Sequence, residues 1–190
     1  MTLSDIDIRD AFRTGQFNTD DPLATLFEHI QPASIDLHLG REFIRAIQMP
    51  SDWGLDPYSE EDMKAAFGEP EGAGEDGYFI LFPQQFVLAS TSEAVALNNE
   101  VRGKVEGKSS VARFGLIIHS AGFIDPGFNG CITLELFNQS PNAIMLWPGM
   151  GIAQLELTRL DTPSSVGYSG KYLGAPGLQA SRYYLNPRPV

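Results

Sequence analysis

Residues 131–137 read CITLELF, and their alternation decides the fold. Ile132, Leu134 and Leu136 fall on one face of an extended strand, with Thr133, Glu135 and Phe137 on the other. From Tyr78 onward the same pattern recurs in YFILF, FVLAS, EAVAL, VRGKVEG, FGLIIH, GCITLELFN, AIMLW and GIAQLEL. Turn residues separate these runs: Pro83, Asn98-Asn99, Asp125-Pro126-Gly127, Pro141-Asn142 and Pro148-Gly149. Many short strands at this spacing predict a mainly β chain, as a sandwich, a jelly roll or a small barrel. If the Ile132 face enters the core, Glu135 lies on a second surface beside an aromatic ring. There it is either solvated or in a cleft. In a partly desolvated cleft its pKa rises and it can shuttle protons near neutral pH.

Upstream, residues 3–14 predict a short helix. Ser4 caps it, Asp7 closes a capping box, Leu3 and Ile8 staple the first turn, and Gly15 ends it. IQPASIDLHLG, 30–40, reads as a turn into a strand, with Ile35, Leu37 and Leu39 alternating against Asp36 and His38. Residues 51–77 hold nine acids and one lysine among several Gly and Pro, and read as an exposed acidic insertion in which SEEDMKAAF forms a helical turn or two. The tail, 162–190, is Gly-rich, aromatic and basic. It cannot build a core, and reads either as a lid that folds over a ligand or as a disordered or subunit-clasping tail.

The 190 residues suit a single domain with a real core, and their net charge of −11 argues against a general nucleic-acid binder. The N-terminal MTLSDIDIRD has neither a basic region nor an apolar run, and no stretch reaches the roughly 18 apolar residues of a membrane span. Cys131 is the only cysteine, so no intrachain disulfide forms, which suits a cytoplasmic location. Two basic islands stand out. Arg102, Lys104, Lys108 and Arg113 face only Glu106 within 101–113, and Lys171, Arg182 and Arg188 face no acid within 162–190. They read either as solvated patches or as the site of a small anion such as a phosphate.

The segment 107–136, GKSSVARFGLIIHSAGFIDPGFNGCITLEL, collects hydroxyls, cations, an Asp-Pro-Gly turn and the lone Glu135. GKSS suits phosphate but lacks the Walker A spacing, and IDPGF alone is a turn. His29, His38, His119 and Cys131 show no paired metal-ligand spacing, and the HxE…PCxxC pattern of zinc deaminases is absent. No GxSxG occurs, and His119 reads as a packed or hydrogen-bonding histidine. Hydrolytic chemistry here must therefore rest on carboxylates, hydroxyls and a Mg²⁺ carried by substrate phosphates.

QPASIDLHLG, GKSSVARFGL, AGFIDPGFNGCITLEL, LWPGMGIAQL and the late GKYLG…ASR follow one another in the order seen in the dCTP deaminase and dUTPase superfamily. The chain resembles a dCTP deaminase over nearly everything but the acidic insertion, and the bifunctional, dUMP-forming branch is closest in wording. The resemblance implies a distorted β-barrel or jelly-roll subunit in a homotrimer with sites between subunits. It implies conversion of dCTP to dUTP and ammonia, on the route to dUMP and dTTP, with Mg²⁺ and without zinc. It makes Glu135 the general base and acid, Ser109 a holder of the water or base, and Arg113 the residue that orients Glu135. Backbone groups around Ala121 would read the pyrimidine edge. Asp125 would contact the deoxyribose 3′-hydroxyl, and in dUMP-forming relatives helps position water for phosphate cleavage. Phe128 would exclude a ribose 2′-hydroxyl. Lys108 and Ser110 would bind phosphates from a neighbouring subunit, joined by Gln154, Tyr168 and Lys171.

The chain departs from close relatives in four places, one of them the short spacing from Tyr168 to Lys171. The segment from His119 to Asp125 is one residue shorter, which bears on dTTP inhibition. Ala175 stands four residues after the lysine, where glutamine is common, and Ala112 stands where two-step relatives often carry glycine. Three readings stand open at this point: a dCTP deaminase of one or two steps, a dUTPase only, and a nucleotide-binding regulatory protein without turnover.

Overall fold

The computed structural model describes residues 1–50, 52–119, 123–173 and 178–189. The first half contains α1 (Asp5–Arg13), β1 (Phe17–Thr19), α2 (Leu23–His29), β2 (Ile30–Gln31), β3 (Ser34–Arg45), α3 (Glu60–Ala65), β4 (Glu71–Gly72), β5 (Phe79–Leu81) and β6 (Phe86–Leu97). The second contains β7 (Val101–Gly107), α4 (Ser109–Ala112), β8 (Leu116–His119), β9 (Phe123–Ile124), β10 (Asn129–Asn138), β11 (Ile144–Leu146), β12 (Gly151–Arg159) and a 3-10 turn, Tyr183–Leu185. Among the described residues the strands form an antiparallel sheet in the order β8-β10-β6-β3-β12-β7-β9, with β1 on β6 and β2 and β4 on β3. It curls into a half-barrel of the predicted mainly β class, and β5 and β11 form a separate ribbon.

The curl comes from the two long strands. The first half of β3 pairs with β12 and its second half with β6, across a register shift between Leu39 and Phe43. Gly40 sits at that bend, where an added Cβ would stand 2.8 Å from Ser90 Oγ and 3.0 Å from Ser90 O. The close crossing therefore requires glycine. FVLAS and EAVAL, expected as two strands, form the single strand β6. Thr91 carries the chain through: its buried hydroxyl donates to Glu93 O at 2.8 Å and accepts from Ile132 N at 2.9 Å. A side chain thus supplies hydrogen bonds that a turn would otherwise have supplied.

The predicted alternations hold. Ile132, Leu134 and Leu136 are buried, as are Ile35, Leu37 and Leu39, and they meet Phe17, Phe43 and Leu155 in one core. Ser4 Oγ accepts from Asp7 N at 3.3 Å, and the Asp7 carboxylate accepts from Ser4 N at 3.2 Å, so the capping box of α1 is complete. Leu3 and Ile8 are both buried beneath it, and Gly15 leaves the helix at φ +72°. The acidic stretch is mostly exposed and its expected helical turn forms as α3, but that turn is anchored to the fold. Ser59 caps α3, Met63 and Ala66 are buried, and Phe67 packs on a small cluster of Ile44, Leu88 and Leu178. Asp56 pairs with Arg188, and Tyr58 meets Tyr183 at 5.3 Å. Arg188 of the basic tail thus neutralises Asp56, an acid that the sequence leaves without a local basic partner. Among the described residues no helix is long and apolar enough to cross a membrane.

Candidate active site

Strand β10 places Glu135 between Leu88 of β6 and His119 of β8. Because its neighbours Leu134 and Leu136 point into the core, Glu135 must point out, into a cavity of about 640 Å³. Phe86, Leu88, Asp125 and Phe128 line it, with Tyr168 and Tyr172 from the tail. Glu135 is half-buried. Desolvation pushes its carboxyl above the ordinary carboxylate range, and the charge of His119 pulls it partly back.

The Asp-Pro-Gly turn is held to the sheet. Gly127 N donates to Leu97 O at 3.0 Å, and Phe128 N donates to Asp125 O at 3.1 Å. Gly127 has φ +83°, and a Cβ there would lie 2.7 Å from Gly167 Cα and 2.8 Å from Tyr168 N. The turn needs this glycine twice: for its left-handed backbone and for the tail that crosses it. Tyr168 N donates to Pro126 O at 2.7 Å, and the Tyr168 ring lies 5.9 Å from that of Phe128.

The other candidate phosphate ligands lie outside the lining of this cavity. Lys108 Nζ pairs with Asp36 Oδ2 at 2.6 Å, and Gln154 Nε2 donates to Asp36 Oδ1 at 2.9 Å. Gln154 and Asp36 are register partners on β12 and β3, so the sheet itself fixes the pair. Ser109 opens α4 and accepts from Arg113 Nε at 3.4 Å, with Ser110 exposed beside it. Lys171 Nζ donates to Asn186 Oδ1 at 2.7 Å, while Arg182 Nη1 donates to Lys171 O at 2.8 Å.

The fold thus brings Glu135, Asp125, Phe128 and Tyr168 to one cavity, Lys108 to Gln154, and Ser109 to Arg113. Within this chain the last two pairs, Ser110 and Lys171 are not among the described cavity residues. Ala121 and Ala175 lie outside the described residues, as does part of the shortened segment after His119. Two features escape a sequence reading. Asp36 is visible there only as a polar residue on an alternating strand, and nothing local shows that Lys108 and Gln154 converge on it. The cavity also takes Gln179, Ala180 and Ser181 from the tail, and no short-range pattern places them there.

A family model described as dCTP deaminase-like matches residues 2–160. The chain belongs to the dCTP deaminase-like family. It is 45% identical over 192 residues to a protein of Nocardia farcinica named dCTP deaminase, dUMP-forming, covering 98% of this chain and 93% of that one. A Thermobifida fusca protein of the same name is 45% identical over 194 residues, with 98% of this chain and 94% of the other covered. Among solved structures, the 2′-deoxycytidine 5′-triphosphate deaminase of Agrobacterium tumefaciens superposes with a TM-score of 0.59 at 22% identity. That match covers 84% of this chain but about half, 48%, of the other, and it establishes the dCTP deaminase-like fold.

Proposed function

We propose that this protein deaminates dCTP and carries it on to dUMP. The observation that carries the reading is Glu135: one half-buried carboxyl, raised by burial, in a cavity that also receives the Asp125 turn and the Phe128 ring. The near full-length similarity to proteins named dUMP-forming favours the two-step form. In the first step water adds to C4 of cytosine and ammonia leaves, giving dUTP. In the second, water cleaves dUTP to dUMP and pyrophosphate.

In this reading Glu135 accepts the proton of the attacking water and delivers protons to N3 and the leaving amine. A carboxyl raised toward neutrality suits both directions of transfer. Ser109 holds the water or base, and Arg113 orients Glu135. The backbone about Ala121 reads the pyrimidine. Asp125 takes the 3′-hydroxyl and positions the second water, and Phe128 fills the space of a 2′-hydroxyl. Lys108, Ser110, Gln154, Tyr168 and Lys171 take the phosphates. Phosphate oxygens can replace Asp36 as the acceptor of the Lys108 and Gln154 bonds, and the released Asp36 carboxylate is a hard oxygen donor suited to the Mg²⁺ that accompanies the triphosphate.

The separation of Ser109, Arg113 and Lys108 from the cavity of their own chain supports a site shared between subunits, with residues 1–190 as one unit of a homotrimer. Active monomer in light scattering coupled to assay would contradict this. The activity itself is tested by incubating the protein with dCTP and Mg²⁺, with dUTP in parallel, and separating the nucleotides by ion exchange. Direct appearance of dUMP and pyrophosphate is expected. Persisting dUTP makes the enzyme one-step. Consumption of dUTP alone makes it a dUTPase, and turnover of neither leaves a nucleotide-binding protein.

A further inference from the structure

Two histidines that look unrelated in sequence meet across the β2–β3 hairpin. His29 closes α2 and His38 lies on β3, and their ring centroids are 4.3 Å apart with planes inclined at 53°. Each is held by a carboxylate at Nδ1. His29 Nδ1 bonds Asp21 Oδ2 at 3.0 Å, and His38 Nδ1 bonds Glu93 Oε1, while Glu93 Oε2 accepts from His38 N at 3.0 Å. Side-chain exposure is 26% at His29, 21% at His38, 10% at Asp21 and 11% at Glu93. None of the four lines the Glu135 cavity.

This arrangement has a chemical consequence. Two imidazole rings in contact, each with a carboxylate against it, gather nitrogen and oxygen donors at one point. Among the described residues neither ring's Nε2 has a hydrogen-bond partner. At His29, Asp21 holds Nδ1 and leaves Nε2 for a metal, and at His38 an ion would take the place of the proton shared by Nδ1 and Glu93 Oε1. One ligand atom each from His29, His38 and Glu93 can be chosen so that all lie within 4.8 Å of one another. Tetrahedral metal bonds of about 2.1 Å need ligand atoms roughly 3.4 Å apart, which small side-chain rotations supply.

We propose that His29, His38 and Glu93 bind one divalent transition-metal ion, with Asp21 as the residue that orients His29. Two imidazoles and one carboxylate select Zn²⁺, Co²⁺ or Ni²⁺ over Mg²⁺ or Ca²⁺, and water completes the shell. The ion ties the end of α2 to β3 and β6, so its role is to clamp the fold.

The test uses tag-free protein, stripped with chelator and exchanged into metal-free buffer, then titrated with Co²⁺. The expected result is one Co²⁺ per chain with visible d–d absorption, no near-ultraviolet thiolate band, displacement by Zn²⁺, and a raised Tm. His29→Gln combined with His38→Gln should weaken binding by at least about 100-fold, and Asp21→Asn by about 10-fold. Cys131→Ser should leave it unchanged. No Co²⁺ spectrum in the wild-type protein would overturn the site. So would a thiolate band that disappears in Cys131→Ser, or undiminished binding in the double variant. The wild-type spectrum decides even if a variant does not fold.

Discussion

Gly127→Ala tests whether the tail belongs to the site. An alanine at φ +83° costs about 1–2 kcal/mol, because its Cβ crowds the carbonyl in the left-handed region. The new methyl would also stand 2.7 Å from Gly167 Cα and 2.8 Å from Tyr168 N, both backbone atoms, so the tail must move away. That movement breaks the Tyr168 N to Pro126 O bond, about 1 kcal/mol, and separates the Phe128 and Tyr168 rings, about another 1 kcal/mol. Losing about 2 kcal/mol of docking shifts the tail equilibrium roughly 30-fold toward open. Steady-state deamination of dCTP and thermal unfolding read the two parts separately. KM should rise by about 10-fold or more, with kcat falling less. The backbone strain alone should lower Tm by roughly 3–6 °C for a chain of this size. A lowered Tm with unchanged KM would remove Tyr168 and the tail from the site. An unchanged Tm would show that the turn relaxes without strain.

Three further variants have expected outcomes. Glu135→Gln should lower kcat by about 10²–10⁴-fold while nucleotide binding persists, and near wild-type turnover would end its assignment as base. The same variant reports on stability. A carboxyl whose pKa is raised by folding contributes stability below its unfolded pKa and loses it as pH rises through the folded value. Thermal scans should therefore show the Gln variant gaining on wild type from acid to neutral pH, and a gap independent of pH would contradict the desolvated setting. His119→Asn removes the charge that lowers the Glu135 pKa, so the acidic limb of the rate profile should move to higher pH. Asn138→Leu should cost about 3 kcal/mol, or roughly 6–12 °C in Tm. It strips donors from Leu81 O and Asn142 O, and an acceptor from Ser140 N, at a fully buried position. A change under 1 kcal/mol by denaturant titration would mean that water replaces the amide.

What the sequence reveals, and what it conceals, divides along physical lines. Period-two alternation and local capping depend on neighbours within a few residues, so β10, β3 and the Ser4 box are legible in the chain itself. The merger of two predicted strands into β6 is not, because Thr91 is satisfied by Ile132, 41 residues away. The site divides in the same way. Glu135 and the Asp125 turn are legible as chemistry, and their cavity follows from strand facing. Asp36 is not legible as the acceptor shared by Lys108 and Gln154, because that contact needs the β3–β12 register. The histidines make the contrast sharpest. His29 and His38 fail every linear metal-ligand spacing, yet a hairpin and a neighbouring strand bring them to a common point with Glu93. Ligand spacing in sequence detects only sites built on one local element. A site assembled across α2, β3 and β6 is invisible to it, so the absence of a zinc pattern in the chain bears on the chemistry proposed at Glu135 and leaves the hairpin untouched.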